Sequence, residues 1–265
     1  MAFEKFIPSK GLFGAQQYVG LKWFRYLFNM EDFYFALSNT LVIACWKLVL
    51  SMAASILFAV LINEVRNAAL KRTVQTIVYL PHFISWVILA GIFVDILSPT
   101  EGILNRLIVS LGGSPVYFLG SNKWFQPTLI LTDIWKEFGF GTIVYLAAIT
   151  SIDPSLYEAA IIDGANKYQQ IIHVTIPGLM NIIVLMLLLN IGSVLSGNFD
   201  QVFNLYSPQV YRSGDILDTL VYRIGLVDFN FSLATAVGVF KSAVSGLLIS
   251  LSYFLAWKLA GYRIF

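Results

Sequence analysis

Residues 153–177 read DPSLYEAAIIDGANKYQQIIHVTIP and form a polar segment between two long apolar runs. Asp153 is a favourable N-cap and Pro154 suits the first helical position, so a helix is predicted from there to Asp163. Gly164 can end this helix by adopting a left-handed conformation. The segment therefore predicts a helical turn that projects from a membrane-embedded chain.

The second half of the same segment predicts another short helix. This helix is expected from Asn166 to His173, and Pro177 is expected to begin a new helix. Together the two halves predict a compact helical hairpin.

A longer spacing pattern runs through the segment. Glu158-Ala159-Ala160 is followed after three residues by Gly164, and after nine further residues by Val174-x-Ile176-Pro177. The pattern resembles the EAA motif of the permease subunits of bacterial ABC importers, whose last part is Ile-x-Leu-Pro. The resemblance implies a cytoplasmic coupling loop at residues 150–177 that docks into a cleft on an ATPase subunit. Because Glu-Ala-Ala alone is common in helices, the alternative is an ordinary amphipathic loop helix.

The side chains of the motif suit a docking role. The alanines and the glycine let a partner surface approach the backbone closely, and Glu158 and Asp163 offer carboxylates to basic groups on a partner. The predicted ATPase-coupling residues are Glu158, Ala159, Ala160, Asp163, Gly164 and Ala165.

Composition predicts an all-α integral membrane protein. Of the 265 residues, 58% are hydrophobic and 12% are charged, and the mean hydropathy is +0.75. Such values exclude an ordinary soluble domain. A net charge of +2 gives no argument for nucleic acid. The lone Cys45 excludes a disulfide framework and a cysteine metal site.

Five membrane-spanning helices are predicted within a transmembrane domain at 35–265. Residues 1–34 mix basic and aromatic side chains, which predicts a segment at the membrane surface. The predicted spans are 35–62, 74–97, 125–149, 178–195 and 231–257, and the second is expected to be broken by Pro81 near its start.

Orientation follows from the resemblance, which makes the coupling loop cytoplasmic. The outer segments then carry more Lys and Arg than the inner ones, against the positive-inside rule. We therefore expect one further span before Met1 in a longer natural chain.

Ionisable side chains are concentrated in the third predicted span. Asp133, Lys136 and Glu137 share one helical face, and Trp135 between them can stack on a sugar ring. Because such groups are costly in a membrane, this face is predicted to line the translocation pathway. Equally open is an ion pair of Asp133 with Lys136 that joins helices.

Other polar residues in the spans allow two interpretations. Asn190, Ser193, Ser196 and Asn198 suit a path for sugar hydroxyls or helix packing. Lys47 and Lys241 are expected to snorkel or to pair with carboxylates of neighbouring helices or subunits. His82 and His173 have no nearby ligands at metal spacing, so packing or hydrogen bonding is expected for both and no metal site is predicted.

The sequence contains none of the common nucleotide-binding, hydrolase or zinc-binding motifs. There is no phosphate-binding Gly-x-x-x-x-Gly-Lys-Ser/Thr loop, no Gly-x-Ser-x-Gly elbow and no zinc signature. The chain is therefore expected to be no enzyme and to hold no cofactor, with energy supplied by another polypeptide.

A wider resemblance covers most of the chain. Several segments are similar to permeases of carbohydrate importers, in particular the polysaccharide or lipoprotein-type branch: 38–67, 78–93, 102–108, 133–160 and 233–265. The resemblance implies a type I ABC importer permease fold in the bacterial cytoplasmic membrane, working by alternating access. It also implies a sister permease, two ABC ATPases that hold ATP and Mg²⁺, and an extracellular solute-binding protein that delivers an oligosaccharide.

Three alternatives remain at this point. A secondary transporter or channel would need no ATPase and would show inverted repeats and helices broken at the midplane. An ABC importer permease for a non-sugar solute would keep the same partners. A structural membrane scaffold is the third.

Overall fold

The computed structural model describes residues 1–11, 14–192, 194–195 and 198–260. These residues are mostly helical, as the composition predicts. The described sheet is one small hairpin near the N-terminus.

The N-terminal segment contains two short strands and a helix, and it packs against the last helix. Strand β1 (Glu4–Lys5) pairs antiparallel with β2 (Gln17–Tyr18), and helix α1 (Lys22–Leu27) follows. The backbone N–H of Phe6 donates to Oγ of Ser232, 2.8 Å away, at the start of the last helix. The predicted position of 1–34 at a membrane surface stays a prediction.

The regular elements in the rest of the described chain are helices joined by loops. They include two short 3₁₀ turns at Leu80–Phe83 and Pro208–Val210 and two π-helical turns at Ile171–Thr175 and Arg223–Val227. In chain order the helices are α2 (Glu31–Asn63), α3 (Ala68–Tyr79), α4 (Trp86–Leu97), α5 (Ile103–Ser110), α6 (Phe125–Thr150), α7 (Pro154–Ile162), α8 (Lys167–Gln170), α9 (Ile176–Ile191), α10 (Phe199–Leu205), α11 (Tyr211–Gly214), α12 (Leu217–Tyr222) and α13 (Phe231–Ala260).

Three described helical stretches are long and apolar enough to cross a membrane: Glu31–Asn63, Lys167–Ile191 and Phe231–Phe254. Helices α3 and α4 meet the same requirement only as a pair, and the pair is bent by 102°. The second predicted span, 74–97, is therefore broken near its start, as expected, and its first helix begins earlier than predicted, at Ala68. The break follows the 3₁₀ turn Leu80–Phe83, which contains Pro81, a residue with no backbone N–H to donate to the preceding turn.

The third predicted span is an unbroken helix, α6, but it is not apolar enough to count as a span by composition alone. Every 18-residue stretch of α6 contains Asp133, Lys136 and Glu137. The helix therefore depends on neighbours that satisfy these three charges.

The fourth predicted span has different bounds from those expected. The structure shows one helical stretch from Lys167 to Ile191, so the prediction that Pro177 begins a new helix is wrong. A π-helical turn precedes the proline, and the N–H of Ile176 bonds to the carbonyl of Ile171 there. This wider turn lets Pro177, which has no N–H, continue the helix without a break.

The described chain divides into two compact units. The first contains residues 1–45, 86–130 and the described part of 192–249, and the second contains 46–85, 131–191 and the described residues after 249. The first unit has a core of buried side chains that includes Leu27, Phe33, Leu217, Leu220 and Val237. The second has a core that includes Ala59, Val60, Tyr145, Ile149 and Leu179.

Candidate functional site: the coupling loop and the charged cluster of α6

The coupling loop begins with a side-chain cap. Oδ1 of Asp153 accepts a hydrogen bond of 2.9 Å from the backbone N–H of Ser155, which confirms Asp153 as the N-cap of α7. This N–H holds the pKa of the Asp153 carboxyl below its ordinary value, because it stabilises the ionised form.

The turn after α7 requires glycine at one position. Gly164 has φ +81°, which confirms the predicted left-handed conformation. Its N–H donates to the carbonyl of Ile161 at 3.0 Å, and the N–H of Ala165 donates to that of Ala160 at 2.8 Å. These two bonds make a Schellman turn that satisfies the last carbonyls of the helix. A Cβ at Gly164 would meet open space, so the backbone angle alone selects glycine.

The second half of the loop is held by its own polar groups. Asn166 and Gln169 form a reciprocal capping box, with bonds of 3.0 and 2.8 Å between side chains and backbone N–H groups. The buried Gln170 donates to the carbonyl of Ala165 at 2.9 Å. The hydroxyls of Tyr157 and Thr175 lie 3.0 Å apart and join the two halves.

The structure places the predicted coupling residues mainly on the surface of the loop. Glu158, Ala159, Asp163 and Gly164 are exposed, whereas Ala160 and Ala165 are partly buried. Sequence reasoning missed the apolar side chains around them. Large side chains that are more than half exposed lie at Leu156, Ile161, Ile162 and Tyr168, and Ile162 is 85% exposed.

A neighbouring turn lies against this loop within the second unit. Nζ of Lys167 is 3.2 Å from a carboxylate oxygen of Glu64, which directly follows α2. The chain between α2 and α3 is therefore on the same side of the bundle as the coupling loop.

The second candidate site is the charged cluster, defined by Lys47, His82, Asp133, Lys136 and Glu137, also within the second unit. Lys47 of α2 lies 3.3 Å from Asp133 of α6, and both side chains are buried. Lys47 thus has a carboxylate partner on a neighbouring helix, which is one of the two expectations from the sequence.

The rest of the cluster surrounds the break between α3 and α4. Nζ of Lys136 donates to the carbonyl of His82 at 2.7 Å and lies 3.0 Å from Oε1 of Glu137. Oε2 of Glu137 lies 2.6 Å from Nδ1 of His82, whose ring stacks on Phe140 at 4.0 Å. Lys136 therefore binds a backbone carbonyl in the 3₁₀ turn next to the break.

Close backbone packing brings these groups together. A side chain at Gly139 would collide with the backbone carbonyl of Val78 near the end of α3. The absence of a Cβ at Gly139 therefore lets α6 approach α3 closely.

Trp135 contributes to an apolar cleft. It is half exposed and lines an apolar cleft of about 310 Å³ with Ala54, Leu57, Phe58, Leu61, Leu131, Ile134 and Phe138. The structure therefore brings Asp133, Lys136 and Glu137 together and gives Trp135 a different, apolar environment.

The two predicted asparagines belong to different units. Nδ2 of Asn190 donates to the carbonyl of Met186 at 2.7 Å, within α9. Asn198 is exposed and has φ +51° immediately before α10. Ser193 and Ser196, which the sequence grouped with them, lie outside the described residues.

Two other sequence expectations concern ion pairs and metals. Lys241 forms an ion pair with Asp218 in the first unit, and thus has a carboxylate partner. Within the described ranges, His, Cys, Asp and Glu side chains form no group of three or more that could hold a metal ion.

Comparisons with known proteins address the whole chain. Residues 51–256 match the model of the family described as binding-protein-dependent transport system inner membrane component. The chain is 44% identical to the polygalacturonan/rhamnogalacturonan transport system permease protein YteP of Bacillus subtilis (strain 168), over 97% of this chain and 80% of that protein. It is 40% identical to protein LplB of the same organism, over 97% of this chain and 81% of that protein.

A solved structure is similar over the full length. It is a bacterial alginate ABC transporter in complex with a periplasmic protein bound to an alginate pentasaccharide. The TM-score is 0.90 at 38% identity, and the match covers 100% of this chain and 88% of that one. The family match covers most of the chain, and the fold is that of a type I importer permease. This multi-pass membrane protein therefore belongs to the family of binding-protein-dependent transport system inner membrane components.

Proposed function

We propose that this chain is a permease subunit of an ATP-driven importer that passes an oligosaccharide rich in carboxylate-bearing sugars. The similarity to a polygalacturonan/rhamnogalacturonan permease and to an importer of the acidic polysaccharide alginate supports this cargo. The observation that supports ATP-driven import is the exposed surface of the coupling loop, which is available to bind an ATPase subunit.

Coupling to ATP hydrolysis is assigned to this loop. Leu156, Ile161 and Ile162 expose a hydrophobic surface of the kind that marks a protein interface. Glu158 and Asp163 flank it with exposed carboxylates for basic groups of an ATPase. The proposed assembly pairs this chain with a sister permease, two ATPases that hold ATP and Mg²⁺, and an extracellular solute-binding protein.

The translocation path is assigned to the charged cluster. The side chains of Glu137 and His82 are about one-third exposed within the described chain, at 32% and 29%. Ionisable groups in a membrane protein face a partner or a water-filled path rather than lipid. The candidate pathway residues are Asp133, Lys136 and Glu137 of this cluster, together with three residues outside it: Trp135, Asn190 and Asn198.

The same assignment gives a mechanism by alternating access. ATP binding closes the two ATPases, the coupling loop moves with them as a rigid body, and the spans change from inward-facing to outward-facing. Hydrolysis restores the first state. The loop can drive this change only if its docking free energy differs between the two states.

A neutral oligosaccharide is the second candidate cargo. It is favoured by 28% identity to the arabinooligosaccharides transport system permease protein AraP of Bacillus subtilis, over 90% of this chain.

The test uses the chain reconstituted in liposomes with its sister permease, ATPases and binding protein. ATP-dependent uptake of an oligogalacturonate is compared with uptake of a neutral arabino-oligosaccharide of equal length. Preference for the acidic sugar is expected. Preference for the neutral sugar would contradict the proposed acidic cargo. Uptake without any bound ATPase would contradict the role of the loop in coupling.

A further inference from the structure

Helix α3 is amphipathic, and much of its apolar side is uncovered in the described chain. Leu70, Val74 and Ile77 recur at a spacing of four and three residues, so they share one face. Leu70 and Ile77 are each more than half exposed. Arg72, Gln75 and Thr76 lie on the remaining surface.

Basic side chains surround the start of the same helix. Arg66, Lys71 and Arg72 lie within seven residues, whereas Glu64 is the one carboxylate in the sequence from 63 to 85. Glu64 already pairs with Lys167. Within the described part of the chain, no carboxylate lies within ion-pair distance of the three basic residues, and Arg66 and Arg72 are exposed.

The position of this surface relates it to the membrane. Helix α2 is long enough to cross a membrane and ends at Asn63, so Arg66 emerges directly at a membrane boundary. Asn67 then caps α3, with bonds of 3.0 and 3.1 Å from the N–H groups of Ala69 and Leu70. The cap fixes the helix start, and with it the placement of Lys71 at the edge of the apolar face and of Arg72 on the polar side.

We propose that the α3 surface, defined by Arg66, Leu70, Lys71, Arg72 and Ile77, binds anionic phospholipid at the membrane face that carries the coupling loop. The arginine guanidinium groups donate to headgroup phosphates, and the two apolar side chains enter the adjoining acyl region. The Glu64–Lys167 pair places this surface beside the coupling loop, and the proposed function makes that face cytoplasmic.

Charge complementarity favours lipid over the other partner near this face, an ATPase subunit. An apolar stripe flanked by unpaired cations is the pattern of a helix that lies in a headgroup layer. A lipid bound here would restrain the start of α3 next to the loop that meets the ATPase.

The test uses the intact transporter in nanodiscs that contain phosphatidylcholine, with and without phosphatidylglycerol. Native mass spectrometry counts the retained phosphatidylglycerol for the wild type and for the double variant R66Q/R72Q. Each basic residue near such a surface contributes about fivefold in affinity, so the double variant should retain phosphatidylglycerol about thirtyfold more weakly. The matched control, R106Q/R212Q, removes two exposed arginines outside both this surface and the N-terminal segment, and should retain it as the wild type does.

Two results would overturn the proposal. Equal retention of phosphatidylglycerol by R66Q/R72Q and the wild type would show that the lipid binds elsewhere. Loss of the ATPase subunits from the double variant in both lipid mixtures would show that the surface is a protein interface. If the wild type retains the lipid but takes up no oligosaccharide, the proposed cargo fails while the lipid site stands.

Discussion

The coupling loop and the charged cluster of α6 place polar groups in opposite environments. The loop satisfies its backbone locally, through the caps at Asp153 and Asn166 and the turn at Gly164, and leaves its outer side chains free. The cluster buries Lys47 and Asp133, and each depends on a partner on another helix. Substitutions on the loop should therefore change coupling with little change in stability, whereas substitutions in the cluster should change stability first.

The largest effect is expected from Asp133→Ala. It leaves the ammonium of Lys47 buried without its partner at 3.3 Å, and breaking such a pair costs about 3–5 kcal/mol. Thermal unfolding of the purified complex in detergent should show a large fall in midpoint for this variant.

The double variant Lys47→Met/Asp133→Leu is the control for this prediction. It removes both charges while keeping apolar volume, so it should recover most of the lost stability. If Asp133→Ala unfolds at the wild-type temperature, the pair does not support α6, and the contrast with the loop fails.

The second prediction concerns Gly164→Val. A β-branched residue at φ +81° costs about 1–2 kcal/mol, and the strain is confined to the turn because the surrounding space is open. The turn should open, so that ATP-dependent uptake and retention of the ATPase fall together while membrane insertion stays intact.

Gly164→Asn is the matched control, because asparagine tolerates the left-handed conformation better than other residues. It should retain most of the uptake. Wild-type uptake by Gly164→Val, with the ATPase still bound, would count against the coupling assignment.

Sequence reasoning succeeded where contacts are local. The Asp153 cap, the left-handed Gly164 and most helix positions depend on residues only a few positions apart, so their signals are present in short stretches. The partners that join α6 to the rest of the charged cluster are 54 to 86 residues apart, and nothing in the spacing of α6 selects Lys47 or His82.

One local expectation, at Pro177, was wrong for a physical reason. Pro81 and Pro177 both lack an N–H, yet one accompanies a sharp break and the other continues a helix. The difference is the π-helical turn before Pro177, which rearranges the carbonyls that the proline leaves unpaired. A proline alone does not show which of these outcomes the surrounding chain permits.

The third prediction is a pH dependence at Asp153. Its folded-state pKa lies below the ordinary value of about 3.9, so its cap stabilises α7 above that pH and loses this effect as the pH falls through the folded pKa. Amide hydrogen exchange at Ser155 should therefore become faster on acidification, relative to Asp153→Asn, whose cap does not titrate. If the exchange rate at Ser155 depends on pH in the same way in the wild type and in Asp153→Asn, the ionised carboxylate does not stabilise the cap.

The smallest effect is expected from Lys167→Ala. Lys167 and Glu64 form an ion pair at 3.2 Å, but both side chains are more than one-third exposed, so solvent screens the attraction. The loss should be below about 1 kcal/mol in thermal unfolding, because the bonds of Tyr157 with Thr175 and of Gln170 with Ala165 remain. Lys167→Met, which keeps most of the apolar stem, separates the charge from packing and should behave in the same way. A loss as large as that of Asp133→Ala would mean that the turn after α2 holds the coupling loop in place, and that the loop is not supported by its own hydrogen bonds.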